Sequence, residues 1–279
     1  MRAHYDLSKS PATHDFVTWL ARCELKRREA YSDHLEINIM PGTRDQSIRD
    51  KTLPAEQRAW TARTLLPQLA WLLPSVKNVT FHHLGIQHEP YTPLQKWPGN
   101  LFRASDHARE VVKEYLSDKP NPVSITPRQS SFQPERNANR IEWLGVISWL
   151  WSNGYSPIIV PDTETIYSQS ARNVWPHDTY WGASTSSDIR LALYEQCEMN
   201  LMTNGGPMVL ALMADVPLMA FKLIVPGIAT CSPQYMAANG FANGAEYAPG
   251  KKLFWADDRK EHVIAQLTAW HEAKKAKAA

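Results

Sequence analysis

Two short, predominantly apolar runs with a four-residue break between them constrain this chain more than any other feature. Met199–Thr203 and Pro217–Phe221 are too short for helices, and apolar runs of that length suit strands buried on both faces. Between them stand Asn204-Gly205-Gly206-Pro207 and then Met208–Ala214. The latter reads as a short helix with Pro207 in its first turn, where a missing N–H costs nothing. Strand, helix and strand of this kind make a parallel unit whose crossover is right-handed. Two glycines ahead of the helix let a ligand approach free backbone N–H groups, a favourable place for a phosphate. The same glycines also make a tight turn with no ligand at all.

The rest of the chain repeats the alternation. Asp15–Ala30 places Phe16, Trp19, Leu20 and Cys23 at helical spacing, with basic residues towards its C-terminal end. Leu35–Met40 is a strand, Glu56–Leu73 a helix and Val76–His83 a strand. A proline-rich stretch over residues 85–103 precedes a helix near Ser105–Leu116. The pattern breaks at Ser117–Pro122 and restarts with strands at Val123–Arg128 and Pro157–Asp162. The helix between them is apolar on most of its circumference, which predicts deep burial, and Gly154 is placed as its left-handed cap. A helix from Ser187, the opening unit, and a last strand and helix complete the second block. Strands alternating with helices predict an α/β protein: two Rossmann-like domains, Met1–Lys119 and Pro120–Ala279, with parallel sheets facing a cleft.

Composition narrows the function. With 279 residues, 43% of them hydrophobic and 21% charged, the chain is long enough for one large domain or two modest ones. A net charge of +2 leaves no nucleic-acid footprint, and the basic C-terminal tail is expected to fray. Three scattered cysteines, Cys23, Cys197 and Cys231, argue for a reducing compartment. With neither a secretory leader nor an apolar run of membrane-spanning length, the expected location is cytoplasmic. Signatures of serine hydrolases, phosphate-loop nucleotidases and dinucleotide oxidoreductases are missing from the sequence.

In open parallel sheets ligands bind beyond the carboxyl ends of the strands. There this sequence offers Arg128, Gln129, Ser130, Arg136 and Asn137 after one strand, Asp162 and Thr163 after the next, and Asn204-Gly205-Gly206 after the third. Together they suit a diphosphate held by an arginine and helix N-termini, with a carboxylate for hydroxyl groups. Each also has a plainer role: Asp162 as a cap, Arg128 as the partner of Glu135 or Glu195.

Residues 125–162 and 190–221 together resemble the donor half of a glycosyltransferase of the B-type fold. The pattern is similar to bacterial surface-polysaccharide glycosyltransferases, and more distantly to fucosyltransferases and lipopolysaccharide heptosyltransferases. Thr126-Pro127-Arg128 stands where fucosyltransferases carry His-X-Arg-Arg. The resemblance implies a nucleotide-sugar donor on Arg128, Asp162, Asn204, Gly205 and Gly206, with Gln129 beside them. It also implies that Asp15 resembles the catalytic carboxylate near the first helix of heptosyltransferases. Such a group removes the proton of an acceptor hydroxyl. Asp15 equally reads as the N-cap of its helix, and His14 is the alternative base.

The resulting expectation is a metal-independent, inverting transfer of a sugar to a cell-surface glycan or lipid-linked acceptor. It requires no cofactor, because the nucleotide-sugar is the substrate, and it is compatible with peripheral membrane association. A nucleotide-sugar epimerase or hydrolase, or a non-catalytic binding protein on the same fold, are the alternatives. His82, His83, His88 and Glu89 lack a recognised metal-ligand spacing, and strand alternation separates the first two. Trp175, Tyr180 and Trp181 lie in a loop where they either stack on sugars or plug the gap between domains, with Asp178 as a spare acid–base group. Arg44 and Asp45 follow a strand and are further cleft candidates.

Overall fold

A computed structural model describes residues 1–42, 55–82, 100–163, 175 and 178–278. His83, His88, Glu89, Arg44 and Asp45 lie outside the described residues.

The first sheet holds three parallel strands in the order β1 (Arg2–Asp6), β2 (Leu35–Met40) and β3 (Val76–Phe81). Helix α1 (Asp15–Glu29) follows β1, and α2 (Ala55–Trp71) precedes β3. Strand β1 was not legible in the sequence because His4 and Asp6 interrupt its apolar pattern, yet both side chains are buried. Asn38 Nδ2 lies 3.1 Å from His4 Nδ1 across the strand pair, which satisfies two buried polar groups at once. Burial, and then the charge of Arg2, hold the His4 pKa below its usual value.

The second sheet runs β5-β4-β6-β7-β9-β8: β4 (Pro122–Thr126), β5 (Ser156–Ile159), β6 (Met199–Thr203), β7 (Leu218–Phe221), β8 (Glu246–Ala248) and β9 (Lys251–Leu253). All pairs are parallel except β8 with β9. The strands are covered by α3 (Asp106–Tyr115), α4 (Arg140–Ser152), α5 (Trp181–Thr185), α6 (Ser187–Gln196), α7 (Gly206–Met213), α8 (Pro233–Ala238) and α9 (Lys260–Ala278). Both sheets are thus Rossmann-like and parallel at their centres. In the second, β4 leads outward to β5 while β6 starts the other half, so the switch point lies between β4 and β6.

Three expectations change on contact with the structure. Helix α4 is not buried all round: Trp143, Val146, Ile147 and Leu150 form one covered stripe, while Ile141 is 77% and Trp151 50% exposed. The helix lies on the outer face of its sheet, where only a stripe at i, i+3, i+4, i+7 meets neighbours. The basic C-terminal tail is helical, since α9 continues to Ala278. Helix α3, placed by sequence in the first block, packs on α6 of the second. There Arg109 Nε pairs with Glu195 at 2.7 Å, and Asp188 accepts from Ser105 N and Oγ. The two sheets share one apolar core, closed by α1 against α7 and α2 against α6.

Candidate functional site

A cleft of about 630 Å³ opens where the carboxyl ends of β4 and β6 face α1 and α2 of the first sheet. Of the residues expected at the site, Asp15, Arg128, Asp162, Asn204, Gly205 and Gly206 all line it; Gln129 is half-buried and does not.

Asp15 occupies the first turn of α1 and is exposed to the cleft, while His14 holds the capping position without a side-chain cap. The Asp15 carboxylate accepts from Thr13 Oγ1 at 3.0 Å, and its N–H donates to the same hydroxyl at 3.2 Å. One carboxylate oxygen is therefore oriented, and the group is reachable by an incoming hydroxyl.

Arg128, expected to face a diphosphate, is committed elsewhere. Its guanidinium donates to the Phe132 carbonyl, to the Gln133 carbonyl at 2.9 Å and to Asn137 Oδ1 at 2.5 Å. It is only 7% exposed and braces the loop after β4. Neither Glu135 nor Glu195 is its partner; Glu195 takes Arg109. Asn204 is likewise structural: its Nδ2 donates to the Leu223 carbonyl at 3.0 Å and to Cys231 Sγ at 3.2 Å. Arg136 Nη2 donates to both Asn204 oxygens at 3.1 Å, tying the loop after β4 to the turn after β6. Asp162, half-buried beyond β5, and Thr163 face the same space.

The two glycines differ. A Cβ on Gly205 would meet Arg128 at 3.7 Å, an ordinary contact, so Gly205 is not demanded by packing. A Cβ on Gly206 would lie 2.7 Å from His14 Nδ1 and 2.9 Å from its Cγ, so the missing side chain is the seat of an imidazole from the opposite sheet. The glycine pair had suggested either a ligand or a tight turn; the group that approaches Gly206 is instead a side chain, His14, which lies far away in sequence.

The described aromatics of this loop pack against their own layer and do not line the cleft. Tyr180 stacks on Tyr115 at 3.9 Å, Trp175 is buried, and Trp181 begins α5. Asp178 accepts from the Tyr115 hydroxyl at 2.9 Å and pairs with Lys119 at 3.2 Å, which removes it as an acid–base candidate. Burial, reinforced by Asp178, pushes the Tyr115 phenol well above its usual range.

Arg190 and Arg58 also line the cleft, and sequence reasoning had passed over both. For Arg190 a signal existed: it is the one cation inside the otherwise apolar face of "DIRLALY". Among the described lining residues, four arginines (58, 128, 136 and 190) stand against two carboxylates, Asp15 and Asp162. The walls are thus positive and suited to an anion.

Two parallel sheets facing a cleft at a switch point define an α/β protein of the glycosyltransferase B-type architecture. One solved structure supports the fold. A crystal structure of a glycosyl transferase family 9 protein from Veillonella parvula superposes with a TM-score of 0.52 at 12% identity, over 91% of this chain and 85% of that one. Two Escherichia coli heptosyltransferase structures also match: heptosyltransferase II at 13% identity, over 92% and 81% of the two chains with a TM-score of 0.47, and WaaC with an ADP-heptose analogue at 10%, over 96% and 99% with a TM-score of 0.49. No protein-family model matches the sequence, and no curated protein matches it. Among the described residues no helix is long and apolar enough to cross a membrane.

Proposed function

We propose that the protein is a glycosyltransferase that takes a sugar from a nucleotide-sugar and passes it to a hydroxyl of a cell-surface glycan or lipid-linked acceptor. The observation that carries this reading is the positive cleft at the β4/β6 switch point, with the exposed carboxylate of Asp15 on its far wall. The likeness of fold to a family 9 glycosyl transferase supports it.

In this reading the donor diphosphate lies between the loop after β4 and the start of α7. Arg136 and the helix N–H groups face the charge that grows there as the leaving group departs. Asp15 takes the proton of the acceptor hydroxyl while that oxygen attacks the anomeric carbon. The bond from that carbon to the diphosphate oxygen breaks, and its electron pair leaves with the nucleoside diphosphate. Attack from the Asp15 side, opposite the leaving group, inverts the configuration. Arg128 and Asn204 serve this arrangement by fixing the loops that hold Arg136. All of this takes place in the cytoplasm.

The test is a melting-temperature screen against nucleoside diphosphates and nucleotide-sugars, repeated with Asp15→Asn. A ligand at a hundred times its Kd adds about 2.7 kcal/mol to the native state. Stabilisation by one base series in both proteins is expected, with sugar transfer only in the wild type. Absence of any stabilisation across the panel overturns the proposal.

A further inference from the structure

Arg190 carries chemistry that the donor reading does not use. It lies one turn into α6 and is 3% exposed. Its Nε donates to the Ala183 carbonyl at 2.7 Å, but both terminal nitrogens are buried and meet no acceptor. The acids of its own helix are engaged elsewhere, Asp188 with Ser105 and Glu195 with Arg109. The Tyr194 phenol is pushed up by burial, while the charge of Arg190 and side-chain contacts with Thr126, at 2.9 Å, and with Arg190 itself pull the other way; that neutral hydroxyl does not balance the charge of the guanidinium. Arginine does not shed its proton to escape burial, and a buried cation without a paired anion is costly. A group kept at that cost beside a cleft has a partner that comes and goes.

The surroundings fit one kind of partner. Ser187, three residues earlier on the same helical face, is also buried at the cleft wall. Its N–H is capped by Gln68 Oε1 at 2.8 Å, which ties α2 of the first sheet to this spot. Ser184 and Thr163 complete the wall with hydroxyls that already donate to the Pro161 and Ser184 carbonyls, so among these described residues the guanidinium is the charged donor.

We infer that Arg190, with Ser187 beside it, is an oxyanion subsite in which the two terminal nitrogens grip a carboxylate or phosphate group of a cleft ligand. A guanidinium presents these two donors in a fixed fork that matches both groups. The subsite stands whether or not that ligand is a nucleotide-sugar.

The experiment measures melting in sodium phosphate, sodium glucuronate and sodium chloride at matched ionic strength, for the wild type, Arg190→Met and Arg190→Lys. The wild type is expected to melt higher in phosphate or glucuronate than in chloride. A response to phosphate alone points to a phosphoryl group, and one to glucuronate alone to a sugar carboxylate. Arg190→Met melts at or above the wild type in chloride and loses the response. Arg190→Lys keeps the charge without the fork and binds the probe at least tenfold more weakly; it decides the matter if the methionine variant fails to fold. Equal responses in wild type and variants, or no wild-type response to either probe, overturn the inference. A nucleoside diphosphate series separates the two claims. Equal stabilisation of wild type and Arg190→Met leaves the donor reading standing and removes this one. A phosphate response through Arg190 without any nucleotide response does the reverse.

Discussion

Replacing Gly206 by alanine tests whether the junction between the two sheets is built as described. The new Cβ arrives 2.7 Å from His14 Nδ1, 2.9 Å from Cγ and 3.0 Å from Cβ, so rotating the ring alone does not clear it. Overfilling a packed contact costs about 1–3 kcal/mol. Alanine in place of glycine at a helix start returns about 0.5–1 kcal/mol through the unfolded chain. The net loss is then about 0–2.5 kcal/mol, or a melting drop of up to roughly 10 °C for a chain of this size. In a His14→Gly background all three of these contacts are gone, and the same substitution becomes neutral or stabilising by about 0.5–1 kcal/mol. Urea unfolding of the four proteins gives a double-mutant cycle with an expected coupling of about 1–3 kcal/mol. Additive effects, with coupling under about 0.3 kcal/mol, refute the seating of His14 on Gly206.

Two further predictions concern pH. Burial pushes the Glu24 carboxyl up, but hydrogen bonds from Arg27, Ser75 and Arg28 outweigh it and bring the pKa from 4.5 to about 2. A depressed acid stabilises the native state above the unfolded value, and that contribution fades as pH falls from about 4.5 towards 2. The drop corresponds to about 3 kcal/mol, reduced to about 2 because Arg28 is largely solvent-exposed. Acid titration of stability should lose this slope in Glu24→Gln, and an unchanged slope contradicts the cluster. Burial lowers the Lys251 pKa to about 8, against a weaker opposing effect of Asp215. Between pH 8 and 10.5 the unfolded chain holds a proton that the native chain has lost, so stability rises with pH across that window. Lys251→Met should flatten the rise in denaturant unfolding at pH 8 and 10, and persistence of the rise assigns it to another group.

Element type was legible wherever one period dominated. Met199–Thr203, Leu35–Met40 and the helix from Asp15 appear within a residue of their sequence bounds, because apolar spacing and turn residues agree there. Strand β1 was hidden by its polar side chains: His4 is satisfied by Asn38, a pairing invisible until β2 is placed, and Asp6 accepts from Ser8. The fate of α3 depended on the charged residues Asp188 and Glu195, some eighty positions further on. At the site, the strand-end rule located the cleft. It could not say which arginine is spent on the fold, since Arg128 and Arg190 differ only in which carbonyls come near them.

The far end of α7 has its own consequence. Lys251 reaches through the core and donates to the Leu212 carbonyl at 2.9 Å and to the Ala214 carbonyl, where the helix ends. A helix of eight residues is about 12 Å long, too short for its two poles to act independently: from the cleft, the negative end would cancel much of the field of the positive one. A cation locked on the negative end removes that cancellation. What faces the cleft at Gly205 then behaves as an isolated partial charge rather than half of a dipole, and its pull reaches farther into the solvent. As pH climbs past about 8 and the lysine discharges, the opposite pole reappears, so the range over which this helix attracts an anion is set from the buried side of the molecule.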